Sequence, residues 1–270
     1  MTQLQPSTEA LEVLIRSFSV PQRVPATEAE RAFLNKGLRE EHAYPGGTLV
    51  SWTFGRGPRV VLAHGWNSRG SHLRGFIAPL VASGFSATLF DAPAHGDSAG
   101  DTSSVVHMGR ALLWLCQRLG DIHGVIGHSA GSAGALLAFH QGLQVTASVH
   151  LSGPSSLRPM LVGLAHGMGL APPHAQPFLD WVPGFIGQSI DSMGLEALRS
   201  GLRHRGLILH DPEDRVVPVQ AAEQLHRAWP GSELVRLHGL GHTRLLSDAD
   251  CIGRCAGFIS AKLRQPYVVA

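Results

Sequence analysis

The sequence predicts an α/β protein in which helices cover both faces of a mostly parallel central sheet. From Arg59 onward, short apolar runs alternate with longer amphipathic stretches, as expected when strands and helices follow one another in a parallel sheet. Each predicted helix has a length that suits a right-handed crossover between parallel strands. With 270 residues, of which 44% are hydrophobic and 16% charged, the chain can bury one large core.

The alternation places six strands and five helices along this part of the chain. Strands are expected near residues 59–63, 85–90, 122–127, 145–151, 205–210 and 233–238. Helices are expected near residues 72–83, 104–119, 131–141, 218–228 and 248–263. We assign this α/β core to residues 47–151 and 202–270.

Residues 1–46 are predicted to form a helical extension that packs on the core. Apolar residues recur at helical spacing from Leu11 to Phe18. Thr27 followed by Glu30 has the pattern of a capping box, which predicts the start of a second helix.

A turn and a strand are expected to connect this extension to the core. Residues 44–47 (Tyr-Pro-Gly-Gly) predict the turn, and the alternation over residues 48–54 predicts the strand. Residues 55–58 (Gly-Arg-Gly-Pro) are expected to form a hairpin connection to the next strand.

The alternation stops between residues 152 and 201, where prolines are frequent and no convincing strand occurs. Apolar residues, among them Met160 and Trp181, are more numerous here than a loop needs. We therefore predict an insertion of short helices that forms a cap over the sheet edge. The alternative is an elaborated edge that does not contact substrate.

Composition excludes several classes of protein. The formal net charge is +2 and the 22 Lys and Arg residues form no runs, which argues against a nucleic-acid partner. Three cysteines are too few for a disulfide framework. Cys251 and Cys255 lie in the last predicted helix and are expected to pack in the protein core. The sequence has no apolar run of membrane-spanning length and no signal-peptide core at its start, so we expect a cytoplasmic protein.

The pentapeptide Gly-x-Ser-x-Gly occurs twice, around Ser98 and around Ser129. This pattern can hold a serine on a sharp turn between a strand and a helix, where only small neighbours fit. Ser129 follows a predicted strand and precedes a predicted helix. Ser98 instead lies in a polar stretch after Pro93, between Asp97 and Asp101. The context therefore favours Ser129 as the nucleophile.

A serine hydroxyl is a weak nucleophile until a base takes its proton, and a carboxylate must orient that base. His242 follows the strand predicted near 233–238 and is flanked by Gly241, so it is the candidate base. Asp214 and Asp211 both follow the strand predicted near 205–210. Loops after parallel strands meet at one sheet edge, so either acid can reach the histidine. Asp211 could instead cap the turn before Pro212.

From about residue 48 onward the chain resembles the α/β-hydrolase superfamily, in particular its serine esterases and lipases. The resemblance rests on four motifs in the family's order: His64-Gly65-Trp66, the D-x-P-x-H-G-x-S loop at 91–98, the serine pentapeptide at 127–131, and the later acid and histidine. It implies that Asp214, in a D-x-x-[VP]-P segment, is the acid of a triad with Ser129 and His242. It also implies that Ser98 is a structural loop residue.

The resemblance further implies an oxyanion hole made by the backbone N–H groups of Trp66 and Ala130. His64 and His128 flank the site in sequence and are expected to support it or its substrate by hydrogen bonds rather than to act as bases. Met160 and Trp181, in the predicted cap, are the other candidate substrate contacts. No metal or organic cofactor is expected.

The predicted activity is the cleavage of a carboxylic ester or thioester through an acyl-enzyme intermediate, with a small molecule as substrate. The same triad could serve carbon–carbon bond hydrolysis, perhydrolysis or acyl transfer to another acceptor. A non-catalytic binding or interaction protein of the same fold is the alternative from another class. A dinucleotide-binding loop is excluded because residues 122–179 contain no Asp or Glu to bind the ribose.

Overall fold

The computed structural model describes residues 8–262, so the predictions for residues 1–7 and 263–270 lie outside the described part. In chain order the strands are β1 (Leu38–Tyr44), β2 (Gly47–Gly55), β3 (Arg59–Ala63), β4 (Ser86–Asp91), β5 (Ile122–His128), β6 (Ala147–Leu151), β7 (Arg205–His210) and β8 (Ser232–Arg236). Over the described residues they form one sheet in the order β1-β2-β4-β3-β5-β6-β7-β8. Strands β3 to β8 are parallel, and β2, near one edge, runs antiparallel to both of its neighbours, β1 and β4.

Helices follow the strands on both sides of this sheet. They are α1 (Thr8–Ser19), α2 (Glu28–Leu34), α3 (Ile77–Ala82), α4 (Val105–Leu119), α5 (Ala130–His140), α6 (Leu157–Gly167), α7 (Pro172–Ile186), α8 (Leu195–Leu198), α9 (Val219–Ala228) and α10 (Ala249–Lys262). Short 3-10 helices span Gly70–Phe76, Ile190–Met193, Arg199–Gly201 and Arg244–Leu246. The predicted α/β class is confirmed. Between residues 8 and 262, no helix combines the length and apolar character needed to span a bilayer.

The sheet separates two hydrophobic cores. Along β5, Val125 packs with the side chains of α4 and α5, whereas Ile126 packs with those of α3 and α10 on the other face. Successive side chains of a strand point to opposite faces, so a strand buried on both sides is a continuous apolar run. The two cores hold the carboxyl end of β5 rigidly at the centre of the sheet.

The amino-terminal part differs from the prediction in two respects. Residues 38–44, within the segment expected to be helical, form β1, an edge strand in which only His42 is buried. The charges of Arg39, Glu40 and Glu41 remain in solvent there, as is common at sheet edges. The hairpin at 55–58 is also wrong, because β2 pairs with β1 and β4 and not with β3. The capping box at Thr27 is present as predicted.

The segment between β6 and β7 consists of helices α6, α7 and α8 and two 3-10 turns. Helix α7 contains Pro177 and Pro183 and ends at Gly187, whose φ of 68° lies in the left-handed region. Arg110 of α4 donates hydrogen bonds to the Ile186 carbonyl at 2.8 Å and to Gln188 Oε1 at 2.6 Å. The end of α7 is thereby tied to the core. Its role as a cap stays a prediction.

Candidate active site

Ser129 lies on a strained turn between β5 and α5. Its φ and ψ are 51° and −120°. Residues other than glycine rarely adopt this backbone conformation, which costs about 1–3 kcal/mol. A Cβ on Gly131 would collide with the carbonyl oxygens of Ala63 and His64, and a Cβ on Gly127 would lie 2.7 Å from Ser132 Cα. The small residues of the pentapeptide are therefore required by the turn itself.

Three side chains meet at this turn in a hydrogen-bonded row. His242 Nε2 lies 3.0 Å from Ser129 Oγ, and His242 Nδ1 lies 2.8 Å from Asp214 Oδ2. A carboxylate can only accept, so Nδ1 carries the proton and Nε2 offers its lone pair to the serine hydroxyl. This is the arrangement in which an imidazole can deprotonate a serine.

The two candidate acids occupy different positions. Asp214 also accepts hydrogen bonds from the Val216 and Val217 backbone N–H groups. Burial opposes its ionisation, but the hydrogen bonds from His242 and from this backbone outweigh burial and lower the pKa of Asp214 to about 2. Asp211 instead accepts from the backbone N–H groups of Leu240 and Gly241 and shapes the loop that carries His242.

His128 holds the main chain of His242 through a hydrogen bond. Its Nε2 lies 2.8 Å from the His242 carbonyl oxygen, so Nε2 must be the protonated nitrogen. Burial lowers the pKa of His128 to about 4, which keeps the ring neutral at physiological pH. The residue therefore fixes the main chain of His242.

The loop after β3 brings backbone donors to the serine. A Cβ on Gly65 would lie only 3.1 Å from Ser129 Cβ, so the chain here passes directly beside the nucleophile. Among the described residues, the N–H groups of Trp66 and Ala130 have no hydrogen-bond partner. Two free N–H groups beside a serine suit a developing oxyanion. Their role stays a prediction.

Ser129 and His242 line a cavity of about 580 Å³. One wall comes from the 3-10 helix Gly70–Phe76 and the other from the start of α10, with Trp66, Leu246 and Ile252 as its larger apolar side chains. Polar side chains, including Asn67, Ser68, Arg74 and Thr243, complete the lining. Among the side chains that the structure describes, none from the segment 152–201 lines it.

Three of the four candidate substrate contacts lie away from this cavity wall. His64 is buried: its Nδ1 donates to the Gly65 carbonyl and its Nε2 accepts from the Ala92 N–H, so no nitrogen is left for substrate. Met160 packs with Leu157 and other residues of the segment and the core. Trp181 stacks on Phe185 at 4.9 Å between ring centroids. Of the four candidates, only His128 is among the residues that line the cavity.

Comparison with known proteins agrees with this architecture. A family model described as the alpha/beta hydrolase fold matches residues 58–185. The esterase Pf2001 of Pyrococcus furiosus superposes with a TM-score of 0.64 over 92% of this chain and 97% of its own, at 18% identity. A bromoperoxidase from Bacillus anthracis superposes with a TM-score of 0.63 over 84% and 100% of the two chains, at 17% identity.

The chain has the α/β-hydrolase fold. Among curated relatives it is 29% identical, over 178 residues, to a pimeloyl-[acyl-carrier protein] methyl ester esterase of Aeromonas hydrophila. That match covers 63% of this chain and 66% of the relative, which is just under two thirds of the relative's length.

In this structure, the D-x-P-x-H-G-x-S loop is held by its own aspartate. Asp91 is buried and accepts hydrogen bonds from the Gly70 and Asp97 N–H groups, each at 2.7 Å. Ser98 accepts from the Val50 N–H and donates to the Asp91 carbonyl. The second pentapeptide is thus a structural loop, as the resemblance implied.

The cavity walls were not found by sequence reasoning. Arg74, Leu246 and Ile252 belong to no motif, and they line the same cavity as Ser129 only because helices distant in sequence pack side by side. A pattern along the chain carries no signal for such a wall. Across residues 8–262, no group of three or more His, Cys, Asp or Glu side chains is arranged to hold a metal ion.

Proposed function

We propose that the protein is a serine hydrolase that cleaves a carboxylic ester or thioester through an acyl-enzyme intermediate. The observation that carries the proposal is the row from Ser129 to His242 to Asp214, with contacts of 3.0 Å and 2.8 Å, on a turn that opens into a cavity. The esterase names of the relatives support the same reaction class.

Acylation begins when His242 Nε2 takes the Ser129 proton as Oγ attacks the carbonyl carbon of the substrate. The negative charge that develops on the carbonyl oxygen is stabilised by the N–H groups of Trp66 and Ala130. Protonated His242, stabilised by the Asp214 carboxylate, then donates its proton to the departing alcohol or thiol.

Deacylation repeats these steps with water as the nucleophile. His242 takes a proton from the water as its oxygen attacks the acyl carbon, and the same N–H groups stabilise the second oxyanion. Collapse of the intermediate breaks the bond to Ser129 Oγ, which recovers its proton from His242. The carboxylic acid product leaves and the free serine is restored.

A panel of p-nitrophenyl esters and acyl thioesters of increasing chain length tests this proposal. We expect the wild-type protein to hydrolyse part of the panel and a fluorophosphonate to label Ser129. The Ser129→Ala variant should be neither active nor labelled. Hydrolysis that persists in a folded Ser129→Ala variant, or a folded wild-type protein inactive on every ester, would contradict the proposal.

A further inference from the structure

The cavity that holds Ser129 has one permanent charge in its wall. Among its lining residues, Arg74 is the only Lys, Arg, Asp or Glu. The neighbouring His72 is kept neutral at physiological pH because burial lowers its pKa. A substrate in this cavity therefore meets a cation and no carboxylate from the wall.

Arg74 is held in place through one nitrogen of its guanidinium group, Nη1. Nη1 donates to the Ser71 carbonyl at 3.1 Å and to Glu30 Oε1 at 3.3 Å. Among the described residues, Nη2 and Nε have no hydrogen-bond partner, and the side chain is 45% exposed. An arginine fixed at one corner with its other donors free is preorganised to bind a carboxylate or phosphate.

Glu30 pairs with Arg74 from outside the cavity lining and leaves the Nη2 and Nε donors of Arg74 free. Burial opposes its ionisation, but hydrogen bonds from Thr27 and Ser71 hold the pKa of Glu30 below its ordinary value, so it is ionised at neutral pH. Those donors, with the capping box of α2, already satisfy its oxygens. Its side chain is 6% exposed and is not part of the cavity lining. It positions Arg74 from behind.

We propose that Arg74 binds an anionic group of the substrate, so that the protein prefers esters whose acid or alcohol part carries a carboxylate or another oxyanion. This inference rests on the proposed function and names its substrate class.

The test uses two esters that differ only in a distant charge: the monomethyl and dimethyl esters of one short straight-chain dicarboxylic acid. The quantity measured is the ratio of kcat/KM for the charged ester to kcat/KM for the neutral one. In Arg74→Gln this ratio should fall about 10-fold, because a charge-assisted hydrogen bond is lost from the charged ester alone. Arg74→Lys should retain part of the preference, and in the wild type it should weaken at high ionic strength.

Arg158→Gln is the matched control, because Arg158 is similarly exposed and pairs with Asp191 away from the cavity lining. It should leave the ratio unchanged. An equal loss for both esters in Arg74→Gln, or no loss for either, would overturn the inference. Turnover of the neutral ester by Ser129→Ala would instead contradict the proposed function.

A binding measurement covers the case in which neither ester is hydrolysed. The monomethyl ester is titrated calorimetrically into Ser129→Ala with and without Arg74→Gln. Binding that weakens about 10-fold in the double variant supports anion recognition by Arg74. Equal affinity in the two proteins, or no binding to either, overturns it.

Discussion

The two Gly-x-Ser-x-Gly pentapeptides of this chain have the same spacing and opposite surroundings. Ser129 lies in a strained conformation between β5 and α5, with its hydroxyl 3.0 Å from His242 Nε2. Ser98 is buried in a loop, where its hydroxyl bonds, among the described residues, only to the backbone of Val50 and Asp91. The pentapeptide itself does not make a nucleophile. The strand before it, the helix after it and the loops from later strands do.

The buried groups behind the two serines differ as well. Behind Ser129, Ser132 of α5 lies 2.8 Å from His150 Nδ1, and Ser148 joins His150 to His204. Behind Ser98, the buried carboxyl of Asp91 anchors the loop. One turn is thus supported by neutral histidines and the other by an acid.

The largest contrast is expected when each serine is replaced by alanine. Ser129→Ala should lower kcat by about 10⁴-fold or more, because nothing else in the row can attack the carbonyl. Ser98→Ala should leave kcat of the folded protein within a few-fold and lower stability by about 1–3 kcal/mol, because it leaves a buried N–H unpaired. Ester hydrolysis and urea unfolding measure the two effects. Comparable losses of kcat in both variants would contradict the assignment of Ser129 as nucleophile and Ser98 as a structural loop residue.

The next prediction tests the two carboxylates near Ser129 rather than the serine itself. Asp214→Asn should lower kcat by about 10⁴-fold, because an amide can donate to His242 Nδ1 and so favour the wrong tautomer. Asp211→Asn is the matched control, since it weakens bonds to the His242 loop without touching the imidazole. Its loss should be about 10-fold. A larger loss from Asp211→Asn would make Asp211 the functional acid.

The third prediction compares one glycine from each pentapeptide. Gly131→Ala should cost about 3 kcal/mol, because its Cβ would meet the backbone oxygens of Ala63 and His64, which cannot move away cheaply. Gly100→Ala meets nothing closer than 3.5 Å, so only its φ of 103° opposes alanine, at about 1–2 kcal/mol. Urea unfolding of both variants checks the order. Equal costs would mean that the Ser129 turn is no tighter than the loop.

The sequence predicted the parts of this protein whose signals are local. The order of the motifs along the chain and the turn at Ser129 follow from short patterns at strand ends, and the family resemblance favours Asp214 over Asp211. Strand β1 was missed because a charged edge strand lacks the apolar alternation that marks a half-buried one. The cavity wall at Arg74 was missed because packing between distant segments decides it. The role of the segment 152–201 as a cap stays a prediction, although many of its apolar residues pack in the core.

The smallest predicted effect is the pH dependence contributed by the two sets of buried groups, which should have opposite signs. Burial lowers the pKa values of His150 and His204 to about 3, so the unfolded chain binds more protons below its ordinary histidine pKa and stability falls as the pH falls. Burial raises the pKa of Asp91 to about 6, so the folded chain binds the proton first and gains stability as the pH falls through that value.

Urea unfolding at about pH 7 and about pH 5 separates these contributions. His204→Gln keeps a donor for Ser148 but cannot titrate, so the stability lost between the two pH values should shrink by about 2 kcal/mol. Asp91→Asn removes the opposing carboxyl, so the same loss should grow by about 1 kcal/mol. If both variants changed the pH dependence in the same direction, the buried groups behind the two serines would not differ as their surroundings indicate.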